Sequence, residues 1–357
     1  MSRPTRAFID IAALRANLQR VKACTPEQHV MAVVKANAYG HGAVKVAKAL
    51  ESDVEAFAVR CLEEAVELRK AGITKPIVLL EGFFQSKELP EIAKQDLQIV
   101  IHTSKQFEHL LKAPLDKPVN VWLKVDTALH RLGFAPNEIE PIYKLLTQCS
   151  HVAQPIRLMS HLACADDRQD ATTDQQTQMF MELARQLELE TSLANSAGIL
   201  GWPQTHCDWV RPGIMLYGVS PFPDSVAKAE GLQPVMQLQS ALISVRRLRK
   251  GDAIGYGATW TCPQPMPVGV VAIGYADGYP RHAPSGTPVL VNGRRVPLVG
   301  RVSMDMITLD LRSQPNASVG DPVLLWGKNL PIEEVANLAG TIGYELLCNV
   351  NTRIETP

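Results

Sequence analysis

Short apolar runs alternate with helix-like patterns along the first two thirds of the chain. The runs lie at residues 29–35, 56–60, 77–81, 99–102, 119–125, 156–161, 192–195 and 209–211. Between them, apolar side chains recur every three or four positions, which predicts helices. Buried strands that alternate with helices form parallel sheets, and eight such units favour a TIM-like (β/α)8 barrel over an open doubly wound sheet. No Gly-x-Gly-x-x-Gly motif follows any of the runs, which argues against a Rossmann unit.

The pattern changes after Ser220–Pro223. From there on, apolar segments are separated by Gly, Pro and Asn turns, and Val291-Asn292-Gly293-Arg294 is a β-hairpin signal. One helix is predicted, over residues 332–339. We therefore predict an α/β protein with an N-terminal barrel over 1–225 and a C-terminal, mostly β domain over 226–357. The first strand, about residues 5–11, belongs to the barrel domain or pairs with the C-terminal one.

Composition narrows the function classes. Of the 357 residues, 46% are hydrophobic and 20% are charged, which is typical of a globular protein with a large core. The formal net charge is zero, so no basic excess indicates nucleic acid, and no apolar stretch is long enough for a membrane span. No secretory signal is visible, and the seven scattered cysteines show no Cys-x-x-Cys spacing. We expect a cytoplasmic protein with neither a disulfide framework nor a metal site.

Lys35 ends the first of the predicted barrel strands. An unpaired ammonium at the mouth of a buried strand is costly, so its pKa tends to fall, and a lysine of lowered pKa can form a Schiff base. On this segment alone, the commoner interpretation is a strand-end lysine that points into water. The rest of the chain decides between the two.

Polar residues also end other predicted barrel strands, where barrel enzymes carry their active sites. They are Lys124, Asp126 and Arg131 at the fifth strand, His161 at the sixth, Asn195 and Ser196 at the seventh, and Arg211 at the eighth. Ser196 and the backbone amides of Gly213 and Ile214 would form a phosphate cradle. A Schiff-base lysine, a phosphate site, and a histidine and an arginine suited to an aromatic ring together suggest pyridoxal 5'-phosphate.

The segment AVVKANAYGHG, which contains Lys35, closely resembles the cofactor-lysine signature of the alanine racemases of fold type III. The resemblance recurs along essentially the whole chain, in KVDTALHRLGF, MSHLACADD, ANSAG, RPGIMLYG, IGYGATW, IGYADGYPR, GRVSMDM and TIGYE. So many motifs in family order are highly specific.

The resemblance implies a role for each matching residue. Lys35 would bind the cofactor covalently, and its phosphate would be held by Tyr39, Ser196, Gly213, Ile214 and Tyr344. His161 would stack on the ring, Arg211 would face the pyridine nitrogen, and Asn195 would also line the cofactor site. Arg131, Tyr275, Met304 and Asp305 would bind substrate, and Lys124 is a lysine that some members carry carbamylated.

The resemblance also implies the activity, an alanine racemase that supplies D-alanine for peptidoglycan. Lys35 would be the base for D-alanine and Tyr256 the base for L-alanine. The members are homodimers, so Tyr256, Tyr275, Met304 and Asp305 would act on the partner's site. A racemase of broader specificity, for serine or other amino acids, is the alternative.

Two other classes share the barrel. A non-catalytic pyridoxal-phosphate-binding protein lacks the β domain, and a decarboxylase places an acid where this chain has Arg211. The chain also departs from common family positions, with Ala128-Leu129 for Gly-Met and Ser303 for Cys.

Overall fold

The computed structural model describes residues 3–351. It divides into two compact units: Leu18–Leu216 forms one, and the residues up to Asn17 and from Tyr217 onwards form the other. The division therefore falls earlier than the predicted boundary at residue 225, and the N-terminal segment groups with the C-terminal unit. The outermost parts of both predicted domains, residues 1–2 and 352–357, lie outside the described residues.

The chain starts with strand β1 (Arg6–Ile9) and helix α1 (Ile11–Cys24), within which the division between the units falls. Asp10 precedes the helix and accepts a hydrogen bond from the backbone N–H of Ala13 (3.0 Å), which caps its first turn.

The barrel unit is a closed ring of parallel strands, each paired with the next along the chain. The strands are β2 (His29–Val33), β3 (Ala56–Val59), β4 (Ile77–Leu79), β5 (Leu97–Ile101), β6 (Val119–Lys124), β7 (Val152–Met159), β8 (Thr191–Ser192) and β9 (Trp209–Val210). The ring closes where β9 pairs with β2, through His29↔Trp209 and Val30↔Val210. The predicted eight-stranded barrel is confirmed.

Helical segments follow the strands in the order expected for such a barrel. They are α2 (Lys35–Tyr39), α3 (Ala43–Leu50), α4 (Leu62–Lys70), α5 (Leu89–Lys94), α6 (Ser104–Leu111), α7 (Ile139–Thr147), α8 (Thr172–Leu187) and α9 (Ser196–Gly201). Apolar residues are spaced to face the sheet, as in α3, where Val46, Ala47 and Leu50 are buried. Strand β3 is apolar on both faces, and all four of its residues are buried.

The other unit contains an antiparallel sheet. Its strands are β1, β10 (Met236–Leu248), β13 (Met266–Val271), β14 (Pro288–Val291), β15 (Arg294–Pro297), β16 (Ile307–Asp310) and β17 (Pro322–Trp326), while β11 (Ala253–Ile254) and β12 (Trp260–Thr261) form a separate pair. The sheet order is β15-β14-β17-β10-β13-β16, and β1 pairs with β10. Asn292 and Gly293 take φ of 50° and 77° between β14 and β15, the geometry that the predicted hairpin requires.

Two helices, α10 (Ile332–Leu338) and α11 (Gly343–Asn349), follow β17 within the described residues. The prediction of one helix was therefore wrong, because α11 begins only five residues after the end of α10. The correction matters, because Tyr344 lies in the first turn of α11. Between residues 3 and 351, no helix has both the length and the apolar character needed to cross a bilayer.

Candidate active site

Lys35 begins an unusual turn at the carboxyl end of β2. It is half-buried, and the four residues after it, 36–39, all have φ of 52–53°. This left-handed conformation is uncommon for residues that carry a Cβ, and runs of it are rarer than single instances. The turn therefore persists only because the surrounding structure holds it. This constraint fixes the position of the Lys35 backbone.

Two side-chain contacts hold this turn. A Glu64 carboxylate oxygen accepts the N–H of Ala36 (2.9 Å), and its other oxygen accepts the N–H of Arg60 (2.8 Å). The Asn37 side chain accepts the N–H of Ala43 at 2.8 Å. Sequence reasoning missed Glu64, a glutamate in the first turn of α4. Only the fold brings it to β2.

Tyr39, Ser196 and Gly213 converge from three parts of the barrel rim. A Cβ on Gly213 would lie 2.7 Å from the Tyr39 hydroxyl oxygen, so glycine is needed for this close approach. The Ser196 Oγ accepts the backbone N–H groups of Gly213 (2.9 Å) and Met215 (3.3 Å). With both lone pairs engaged, the Ser196 hydroxyl hydrogen is available to donate to an anion.

Asn195 caps α9. Its side-chain oxygen accepts the N–H of Gly198 at 3.0 Å, while its backbone leads directly to Ser196. The carboxamide oxygen thus orients the helix that carries Ser196, and the NH2 group retains its donors. Ile214, also predicted to lie here, is fully buried beside Gly213.

Arg211 is buried and held by several acceptors. Its guanidinium donates to Ser192 Oγ (2.5 Å) and to the carbonyl oxygens of Ser160 (2.6 Å) and Leu193 (3.2 Å), and lies 3.3 Å from His161 Nδ1. Burial lowers the pKa of Arg211 to about 10, so the side chain remains protonated at neutral pH.

The His161 imidazole is neutral in this setting. Burial, followed by the charge of Arg211, holds its pKa well below the ordinary value. Because Arg211 can only donate, His161 Nδ1 accepts, which assigns the proton to Nε2.

Lys124 lies at the carboxyl end of β6 in a strongly positive environment. Burial, followed by the charges of Arg211, Arg131 and Lys35, lowers its pKa to about 8, while Asp126 opposes the shift. A rim where the charges of three cationic side chains act on a fourth suits a ligand with more than one anionic group.

Arg131 is exposed in the loop after β6, which Asp126 organises. The Asp126 carboxylate accepts the N–H groups of Ala128 (3.1 Å) and His130 (3.0 Å). Ala128 has φ of 118°, where a Cβ is strained and where relatives often have glycine by the resemblance above. The loop that presents Arg131 is thus held by side-chain contacts despite local strain.

Three of the predicted substrate residues lie close together in the unit that contains the antiparallel sheet. Backbone hydrogen bonds join Tyr275 to Ser303 (3.0 Å) and Ala276 to Met304 (2.9 Å), so Tyr275, Met304 and Asp305 lie on adjoining loops. Tyr275 is 41% exposed and Met304 53%.

The segments that carry Tyr256 and Tyr344 are connected to these loops through neighbouring residues. The turn of Tyr256 is flanked by Gly257, whose added Cβ would lie 3.1 Å from the Arg301 guanidinium, next to the Met304 loop in sequence. Tyr256 itself is 71% exposed. The helix of Tyr344 is followed by Asn351, which donates to the carbonyl of Ala276 at 2.7 Å.

Comparisons with known proteins cover nearly the whole chain. Residues 9–221 match the family model "Alanine racemase, N-terminal domain", and 235–356 match "Alanine racemase, C-terminal domain". A protein named alanine racemase from Halorhodospira halophila is 53% identical over 355 residues, covering 99% of this chain and 98% of the relative. One from Vibrio cholerae is 52% identical over 350 residues, covering 98% and 96%.

Solved structures similar to this chain are also alanine racemases. The crystal structure of the biosynthetic alanine racemase from Pseudomonas aeruginosa matches with a TM-score of 0.96 at 49% identity, and 99% of each chain is covered. The alanine racemase from Bacillus anthracis with bound L-Ala-P has a TM-score of 0.88 at 31% identity, covering 99% of this chain and 94% of that one. With both family models and full-length relatives in agreement, this chain belongs to the alanine racemase family.

Proposed function

We propose that this chain is an alanine racemase that interconverts L-alanine and D-alanine with pyridoxal 5'-phosphate, supplying D-alanine for peptidoglycan. The observation that carries the proposal is the barrel rim itself. The charge of Lys35 acts there on Lys124 together with the charges of Arg131 and Arg211, and the same rim carries a serine and a backbone suited to phosphate. The relatives named above carry the same activity in their names.

The described residues fit the cofactor's chemistry. Its phosphate would bind to Tyr39, Ser196, Gly213, Ile214 and Tyr344, with Asn195 orienting α9. His161 would face the ring, and Arg211 would face its pyridine nitrogen. Pyridoxal phosphate, when bound, withdraws electrons from Cα of the amino acid it carries, which makes the Cα–H bond acidic.

The protein's own part of the reaction is to move a proton between two faces of Cα. Lys35 Nζ would remove or return the proton on the D face, and the Tyr256 hydroxyl would do so on the L face. Arg131 would hold the substrate carboxylate, and the backbone of Met304 would contact the substrate. Asp305 and Tyr275 would line the same pocket and leave little room beyond Cβ.

The second base would come from another subunit. Tyr256, Tyr275, Met304, Met306 and Ile342 are all large, apolar or aromatic, and 41–71% exposed. Exposed apolar groups concentrated in the unit that carries the substrate loops favour an interface with a partner. We propose a homodimer in which this unit of each subunit completes the partner's site. A cytoplasmic location, expected from the cysteine usage, stays a prediction.

Incubation with L-alanine and with L-serine tests the function. Chiral chromatography is expected to detect D-alanine, with much slower formation of D-serine because of the narrow pocket. Comparable rates for the two would favour a racemase of broader specificity. Absence of D-alanine formation by protein saturated with pyridoxal phosphate would refute the main proposal.

Carbamylation of Lys124 is expected from its surroundings. A buried amine with a pKa of about 8 is partly neutral near that pH and can add CO2, and the resulting anion would pair with Arg131. In protein equilibrated with 13C-bicarbonate, NMR should show a carbamate carbon that grows as the pH rises towards 8 and is missing in Lys124→Arg. The exposed Lys144 supplies the control, since Lys144→Arg should keep the signal. A spectrum identical for wild type and Lys124→Arg would contradict the assignment.

A further inference from the structure

We propose that Arg3 is a positioning residue that fixes the two loops carrying Tyr275 and Met304, by pairing with buried Asp277 and binding the Asp305 carbonyl. The inference rests on the proposed function, in which these loops form part of the substrate pocket. Arg3 itself touches no reacting group.

Arg3 joins the two loops through one guanidinium. One nitrogen lies 2.5 Å from Asp277 Oδ1, and the other donates to the carbonyl oxygen of Asp305 at 2.7 Å. Asp277 has no exposed surface, whereas the Arg3 side chain is 29% exposed. The second Asp277 oxygen accepts the N–H of Gly274 at 3.0 Å. The carboxylate thus closes the turn that contains Tyr275 while it binds Arg3.

The two loops also contact each other through their main chains. The N–H of Tyr275 donates to Ser303, and that of Ala276 donates to Met304. A Cβ on Gly274 would lie 2.3 Å from both the Ser303 and the Met304 carbonyl oxygens, so the backbones are in direct contact. A shift of one loop must therefore move the other.

The segment that carries Arg3 is itself anchored. In β1, Arg6 pairs with Gln239 of β10. The Thr5 hydroxyl donates to the carbonyl of Ala272 and lies 3.1 Å from the Ser240 hydroxyl. Ala272 lies three residues before Tyr275. The N-terminal segment therefore contacts this loop near its start, through Thr5, and at Asp277, through Arg3. Arg3 is the charged end of a continuous set of contacts.

The geometry requires arginine. Two nitrogens on a planar fork reach acceptors on two different loops, while a lysine ammonium is a single point charge on a flexible stem. Removing the guanidinium takes the cation away from a buried carboxylate, which then has to rearrange or bind a proton. Either response disturbs the Gly274 hydrogen bond and hence the placement of Tyr275.

Hydrogen–deuterium exchange and steady-state kinetics test the proposal together. In Arg3→Gln, the amides of Tyr275 and Ala276 should exchange faster than in wild type. The KM for alanine should rise about tenfold, with kcat within about twofold, and the rate on serine relative to alanine should increase. Arg3→Lys should restore these values only in part.

Arg295→Gln is the matched control, because Arg295 pairs with Glu334 through two hydrogen bonds (2.5 and 2.8 Å) in the same unit, away from both loops. It should leave the Tyr275 and Ala276 amides, the KM and the serine ratio at wild-type values. Unchanged exchange at these amides in Arg3→Gln, or faster exchange spread evenly over the whole sheet, would overturn the proposal. If wild type does not racemise alanine, the proposed function fails, and the exchange rates alone decide whether Arg3 holds the loops.

Discussion

Tyr256→Phe is expected to abolish racemisation while leaving D-alanine able to exchange its Cα hydrogen with solvent. Phenylalanine keeps the ring but cannot accept or donate the proton, so only the face served by Lys35 continues to react. Loss of one positioned acid–base group lowers the rate by about 10²- to 10⁴-fold. In D2O, NMR should show deuterium entering D-alanine without inversion, and almost none entering L-alanine.

Lys35→Ala completes the comparison. It removes the other base together with the attachment point of the cofactor, so exchange should stop from both enantiomers. Tyr143→Phe, on α7 of the barrel unit, provides a matched tyrosine control and should behave as wild type. The assignment of faces is wrong if Tyr256→Phe blocks exchange from D-alanine and spares L-alanine. A Tyr256→Phe protein that racemises at the wild-type rate would remove this residue from the mechanism.

Arg211→Glu is expected to divert the reaction from racemisation to transamination. An arginine does not readily release its proton, so a pyridine nitrogen facing Arg211 would stay unprotonated and the ring would be a weak electron acceptor. A carboxylic acid at this position would protonate that nitrogen and favour proton return to the cofactor instead of Cα. Racemisation should fall by ~10²-fold. Pyruvate, measured with a coupled dehydrogenase, should appear in amounts that match the aminated cofactor formed.

Arg211→Lys separates charge from hydrogen bonding in this experiment. Lysine keeps a cation near Ser192 and His161 but loses the fork that contacts four groups. It should racemise more slowly than wild type without producing more pyruvate. If Arg211→Glu folds, binds the cofactor and forms no more pyruvate than wild type, the choice of reaction does not depend on this residue.

The barrel was predictable because its signal is local. Strands such as β3 and β4 are uninterrupted apolar runs followed by a helix, and the polar residues that end the strands stand out against this pattern. Since the carboxyl ends of all the strands in such a barrel meet at one rim, locating Lys35, Lys124, His161 and Arg211 in sequence was enough to bring them together.

The contacts that hold these residues in place were not predictable, because they join residues distant in sequence or depend on an uncommon backbone conformation. Residues 36–39 do not signal a run of left-handed backbone, since three of the four are of types that ordinarily avoid positive φ and only Asn37 adopts it readily. Glu64 and Ser192 act through hydrogen bonds that exist only once neighbouring strands have paired. The serine at 303, where family members often have cysteine, likewise gave no indication that the Ser303 carbonyl oxygen accepts the N–H of Tyr275.

Strand β1 belongs to a sheet whose other strands are encoded more than two hundred positions later, as the pairing of Arg6 with Gln239 illustrates. On the ribosome, this strand is therefore made before the rest of its sheet and has no partner there until β10 has been synthesised. By then the whole of Leu18–Leu216 has been translated and contains every strand of its barrel. The barrel can thus fold during translation, whereas the sheet that receives Arg3 is complete only after β17 has been made.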